Sequence, residues 1–185
     1  MHGVLRATRA HQDDSWPEAY AWIERQLIKR VGPPPQEDAA PLWGWFQCHD
    51  ASRKRPDLRA VRHWYQPAEY VLIECELPEE GVMLSDYEAW HIILNGGYVR
   101  INEEDENEYR ELRRQCDQTP SDSLGDKLRR RFYSSWDRVI DMEELTEDDW
   151  VPMEKRSIQA CFWELRQEQI DSVKHFRAVP RKKPI

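Results

Sequence analysis

The stretch YVLIECELPEEGVMLSDYEAWHIILNGGY, residues 70–98, joins the clearest strand signal of the chain to its clearest capped helix, and its reading decides the fold. Val71, Ile73, Cys75 and Leu77 fall on one face of an extended segment and Glu74 and Glu76 on the other, the period of two expected of a half-buried strand. A turn follows at residues 78–81. Val82-Met83-Leu84 then leads into Ser85-Asp86-Tyr87-Glu88, which reads as a capping box: the serine hydroxyl and the glutamate carboxylate each take one orphan amide of the first helical turn. Gly96 and Gly97 supply the stop, because glycine enters the left-handed region at a helix C-terminus with little strain. The expectation is a strand, turn and helix around which the rest of the chain packs.

A chain of 185 residues is read as one domain, residues 1–185, able to bury roughly 70% of the surface it would expose unfolded. The four cysteines, Cys48, Cys75, Cys116 and Cys161, are widely spaced with no CxxC pair, which argues for reduced thiols and against a zinc knuckle or a disulfide framework. No signal peptide and no apolar run long enough for a bilayer is present, so the expected location is the cytoplasm with no membrane partner. The net charge of −8 disfavours nonspecific nucleic-acid binding. The charge is unevenly spread: residues 102–108 and 141–149 are acidic, whereas residues 53–62, 127–131 and 174–183 are basic islands. Nine tryptophans exceed the about two or three that average usage predicts, and such rings build either a rigid core or a stacking surface.

Along the chain, residues 1–14 have no usable period and are expected to be irregular. Ser15-Trp16-Pro17-Glu18 reads as a second capping box, opening a helix with Trp16, Tyr20, Ile23, Leu27 and Val31 on one stripe and ending at Gly32 before three prolines. LWGWFQC, residues 42–48, reads as a buried strand in which Gly44 permits close approach. Asn102 caps a helix with an acidic first turn, and Tyr109, Leu112 and Cys116 face inward. Another helix starts at residues 121–124, carrying Leu124, Leu128, Phe132, Trp136 and Ile140 at steps of four, with a break around Ser134-Ser135-Trp136-Asp137 as the alternative. SIQACFWEL, residues 157–165, is apolar on both faces and belongs inside a sheet; residues 172–179 return as a last strand, and 180–185 form a basic tail. The fold class is α+β: a mixed or antiparallel sheet packed by several amphipathic helices around a tryptophan-rich core.

Trp43-Gly44-Trp45, Ser85-Asp86 with Trp90-His91 and Leu94-Asn95, and Ile158-Gln159-Ala160 with Phe162-Trp163-Glu164-Leu165 resemble a bacterial and phage domain-of-unknown-function family (number 3841). Ala19-Tyr20-Ala21-Trp22, Arg55-Pro56-Asp57-Leu58-Arg59 and Ser135-Trp136 stand in the family's order, so the similarity spans nearly the whole chain. The resemblance carries no activity with it. It does imply a further strand ahead of the Gly-x-Leu written here as Gly3-Val4-Leu5, and this chain starts too late to contain it, leaving a shortened N-terminus or a sheet edge to protect.

The candidate site residues come from three places. Tyr87, His91 and Asn95 are spaced by four and share a helix face, and His91 with Glu164 on the late strand would support proton transfer. Arg55 and Arg59 in the basic segment would hold phosphate while Trp43 or Trp45 stacks on a base. Each has a plainer account: core packing for the tryptophans, ion pairing for the arginines, satisfaction of buried backbone groups for His91 and Asn95. His49, His63, His91 and His175 lack metal-ligand spacing, and no nucleophile elbow or phosphate loop is present. Two functions follow. One is recognition of a nucleotide-like or other phosphate-containing ligand; the order of late elements is loosely similar to ADP-ribosyltransferase-like domains, which would imply that activity and NAD as a cofactor by analogy alone. The other is a non-enzymatic accessory or anti-defence protein whose acidic patches meet a basic protein partner.

Overall fold

Residues 158–166 serve two sheets in succession, the first five in one and the last three in the other. The computed structural model describes residues 3–11, 15–48, 68–145 and 150–178. Among them the elements are β1 (Val4–Thr8), α1 (Pro17–Arg30), β2 (Ala39–Ala40), β3 (Leu42–Gln47), β4 (Ala68–Cys75), β5 (Met83–Asp86), α2 (Tyr87–Leu94), α3 (Glu103–Gln118), α4 (Asp122–Trp136), β6 (Ile158–Phe162), β7 (Glu164–Arg166) and β8 (Ile170–Ala178). This is an α+β fold in which every described strand pair is antiparallel.

β6 lies between β3 and β5. Three rows cross this sheet in register: Trp43, Cys161 and Met83; Gly44, Ala160 and Leu84; Trp45, Gln159 and Ser85. Alternation puts the first and third rows on one face. α2 covers that face, with Trp90 stacked on Trp43 at 5.4 Å between ring centroids. After Trp163 the chain continues as β7, which pairs with β1, and β1 pairs with β2. Trp163 turns inward at this break and its indole N–H donates to the Gly32 carbonyl at 2.9 Å. The core gathers Trp22, Ile23 and Leu27 of α1, Ala89, Trp90 and Ile93 of α2, Trp136, Val139, Met83 and Cys161. Trp22 meets Trp136 edge to face at 5.8 Å, an arrangement the ring quadrupoles favour.

Several sequence expectations shift by a residue or by a layer. β1 occupies residues expected to be irregular; its polar Arg6 stands opposite Glu164 and pairs with it, a cross-strand bond invisible to a hydropathy pattern. α1 begins at Pro17 with Trp16 in the cap position and no cap bond from that side chain; Trp22, rather than Trp16, joins the buried stripe. The cap of α2 is Asp86, accepting from the Ala89 amide at 2.9 Å, because Ser85 is still in β5. β3 is an edge strand among the described residues, leaving Trp45 and Phe46 exposed instead of buried. Gly96 adopts φ 65° at the end of α2, as the stop requires.

The largest revision concerns β4. It pairs along its length with β8 in a two-stranded ribbon, no residue of which belongs to the buried core, and Val71 and Val173 are each 49% exposed. An alternating pattern states that a strand has one apolar face; it does not state what that face covers. The fold is organised around β6, with β4 at its margin.

Candidate functional site

The row Trp45, Gln159, Ser85 forms the floor of a small site, and the first two turns of α2 form its wall. Tyr87 is fixed at the helix start: its amide donates to the Ser157 carbonyl at 2.9 Å while Asp86 caps the turn. The Tyr87 ring then faces Trp45 at 5.0 Å with the planes inclined by 55°, and its other side meets the His91 ring edge to face at 4.2 Å. At that separation the two rings are in contact with each other. Trp45 is 43% exposed, so the outer side of this ring pair is open to solvent.

His91 is oriented by its own helix. Its Nδ1 lies 2.8 Å from the Tyr87 carbonyl oxygen, which can only accept, so Nδ1 carries the hydrogen and donates. In the neutral ring Nε2 is then a lone-pair acceptor, held in one orientation by the backbone behind it. Asn95, one turn further, is exposed and donates from Nδ2 to the His91 carbonyl at 2.7 Å. The helix trio thus shares one face as its spacing predicts, and its bonds so far described go to backbone carbonyls.

The supports beneath are rigid. Gln47 at the end of β3 donates to the Met153 and Arg156 carbonyls at 2.9 and 2.8 Å. Arg156 is 3% exposed and donates to the carbonyls of Val151, Met142 and Leu145 at 2.8, 3.0 and 2.8 Å, with the Asp86 carboxylate 3.8 Å away. Burial pushes the Asp86 carboxyl above its ordinary range, outweighing the Ala89 amide and Arg156, which pull it down.

Other expected site residues lie elsewhere. Trp43 is in the neighbouring row, and its ring is taken up by Trp90 against the core. Glu164 opens β7, past the break at Trp163, and its carboxylate pairs with Arg6 and Arg166. Both Glu164 oxygens are engaged, one by Arg6 at 2.9 and 2.7 Å and the other by Arg166 at 2.8 and 2.7 Å. Arg6 first, then Arg166, holds that carboxyl below its ordinary value. Glu164 also lines a separate cleft of about 400 Å3 with Val31, Pro33, Pro78, Trp163 and Arg166. Arg55 and Arg59 lie outside the described residues.

The acidic run 102–108 is largely spoken for within the chain. Asp105 accepts from the Ile101 amide at 3.0 Å, the Tyr98 hydroxyl at 2.8 Å, Arg131 at 2.9 Å and Arg138 at 2.8 Å. Glu106 pairs with Arg100 and Arg110, and Glu108 with Arg131. Burial raises the thiols of Cys48, Cys75 and Cys161, which disfavours the thiolate. Among the described residues no group of three or more His, Cys, Asp or Glu is placed to hold a metal ion, and no helix is long and apolar enough to cross a membrane.

Sequence reasoning named Trp45, Tyr87, His91 and Asn95 but passed over Gln159 and the inward role of Ser85. The available signal was Gln159 itself, a polar residue between Ile158 and Ala160 in a strand otherwise apolar on that face. The model of one family, Domain of unknown function (DUF3841), matches residues 4–171, and the chain belongs to that family. No curated protein and no solved structure matches it.

Proposed function

We propose that this family member is a recognition domain for a nucleotide-like ligand whose planar ring stacks at the exposed Trp45, beside Tyr87 and His91. The observation that carries the proposal is the inclined, half-exposed ring pair flanked by an imidazole whose Nε2 is oriented as an acceptor. Stacking on an aromatic side chain is worth about 1–3 kcal/mol per base, and a fixed acceptor beside it gives the ring a preferred orientation. Arg55 and Arg59 are proposed to meet a phosphate on such a ligand. Recognition is favoured over proton transfer by a His91–Glu164 pair, since the Glu164 carboxylate is held between two guanidinium groups. The engagement of Asp105, Glu106 and Glu108 inside the chain weighs against the alternative of an acidic surface awaiting a basic protein partner.

The test is isothermal titration of adenosine and adenosine monophosphate into the protein and its Trp45→Ala and His91→Ala variants. Binding by the native chain with at least about a fivefold loss in Trp45→Ala is expected from the stacking magnitude. Arg55→Ala with Arg59→Ala should weaken the monophosphate and leave adenosine unchanged. Absence of binding at millimolar concentration, or equal binding by Trp45→Ala, refutes the proposal.

A further inference from the structure

Three buried side-chain oxygens or hydroxyls without a hydrogen-bond partner occur among the described residues: Gln26 Oε1, Ser85 Oγ and Gln159 Oε1. Gln26 still engages Asp137 through its other end, at 3.0 Å. Ser85 and Gln159 are different in kind, because they are direct cross-strand partners and so lie side by side in the row that ends at Trp45. Paired residues of this sort have Cβ atoms about 4.5–5.5 Å apart, yet the two do not bond to each other. Buried polar atoms nearly always find a partner, and adjacent orphans in the row of an exposed tryptophan ask for the same one.

We infer that the ring stacking at Trp45 carries an N–H donor on its inward edge, an exocyclic amine or a carboxamide, which Gln159 Oε1 and Ser85 Oγ accept once Trp45 turns aside. The inference rests on the ring-stacking reading and adds its chemistry. Gln159 Oε1 is a pure acceptor, so it admits a donor and penalises a ring that presents a lone pair or a methyl group there. Ser85 Oγ, on a residue with 0% exposure, adds a second acceptor that can rotate its own hydrogen away. Access comes from the Trp45 side. Trp45 is on the edge strand at a register shift between Trp45 and Gln47, so its ring turns outward with a ladder to disturb on one side only. Tyr87 and His91, pinned by the helix cap and the Ser157 carbonyl, stay in place.

The experiment compares adenosine with N6,N6-dimethyladenosine by calorimetric titration, using the native chain, Gln159→Met and Ser85→Ala. Met conserves volume and removes the acceptor. Adenosine is expected to bind at least about tenfold tighter than the dimethyl compound to the native chain, and Gln159→Met should bring the two within about twofold of each other. Equal binding of both nucleosides by the native chain overturns this inference and leaves ring stacking intact; binding of neither overturns the stacking reading and this inference with it. Selectivity that survives in both variants also overturns it. Thermal melts supply an independent check. Removing an unpaired acceptor should leave the midpoint of Gln159→Met equal to or above the native one, and a large fall would show that Gln159 is already satisfied.

Discussion

Replacing Arg156 with Met isolates what a single buried cation does for the frame of the site. The guanidinium is 3% exposed and makes three hydrogen bonds, all to main-chain carbonyls of the segment that includes Met142, Leu145 and Val151. Hydrogen bonds from a charged donor contribute about 1.5–3 kcal/mol each, and burying the cation costs several kcal/mol in return. The Met variant keeps much of the apolar stem, removes the charge near Asp86 and leaves three carbonyls without their donor. The net loss expected is about 3–5 kcal/mol, the range for breaking one side of a buried polar arrangement. Asp86→Asn should cost distinctly less, because Asn caps a helix as well as Asp and the 3.8 Å approach to Arg156 is too long for a hydrogen bond. Urea unfolding followed by far-ultraviolet circular dichroism measures both. A loss below about 1 kcal/mol in Arg156→Met, or an equal loss in the two variants, would refute the view that carbonyl satisfaction dominates this arginine's role.

The Asp105 carboxyl is raised by burial but pulled further down by the Ile101 amide, Tyr98 and Arg138, so its folded value lies below the ordinary 3.8. A depressed carboxyl contributes stability that is present above its unfolded value and is lost as pH falls through the folded one. Acid titration of the native chain should therefore steepen below about pH 4, where free aspartate begins to protonate, and Asp105→Asn should flatten that limb; an unchanged profile would contradict the assignment. At the end of α2, a Cβ on Gly97 would lie 2.7 Å from Ile92 Cγ2 and 3.0 Å from the Ile92 carbonyl, whereas Gly96 has open space and only its φ of 65° to protect. Gly97→Ala should cost about 1–3 kcal/mol and Gly96→Ala about 1 kcal/mol by urea unfolding, and the reverse order would mean that the crowding is relieved by movement of Ile92.

Local chemistry was legible where a residue's neighbours in sequence are also its partners. Asn102 accepts from the Asp105 amide and Ser121 from the Leu124 amide, so both helix starts could be read from a few letters. Gly96 was legible for the same reason, as was the interior place of residues 158–162, which no amphipathic alternative fits. β1 was not legible, because Val4 and Leu5 are exposed and its Arg6 finds its partner 158 residues away. The inward role of Ser85 escaped for a different reason. Ser and Asp cap helices about equally well, and only the ladder between Ser85 and Gln159 decides which of the two adjacent residues does so. The helix face of Tyr87, His91 and Asn95 could be predicted from spacing; that Trp45 completes it and Glu164 does not depends on the register of β3 against β6.

That register also means that the two sides of the proposed site are held differently. Tyr87 and His91 inherit their positions from the Asp86 cap, the Ser157 carbonyl and the carbonyls gathered by Arg156, each a bond formed with backbone rather than with another mobile side chain. Trp45 inherits its position from a strand with a neighbour on one side and an extra residue, Phe46, at the register shift. A site built from two stiff walls would hold its two orphan oxygens permanently out of reach, and one built from two loose walls would lose orientation as fast as it gained access. In the proposed site, where Trp45 turns aside over an oriented imidazole and two buried acceptors, the ordering entropy of binding would fall mainly on Trp45. Under that proposal the edge position of β3, otherwise a liability for an exposed aromatic strand, is what gives Trp45 room to turn.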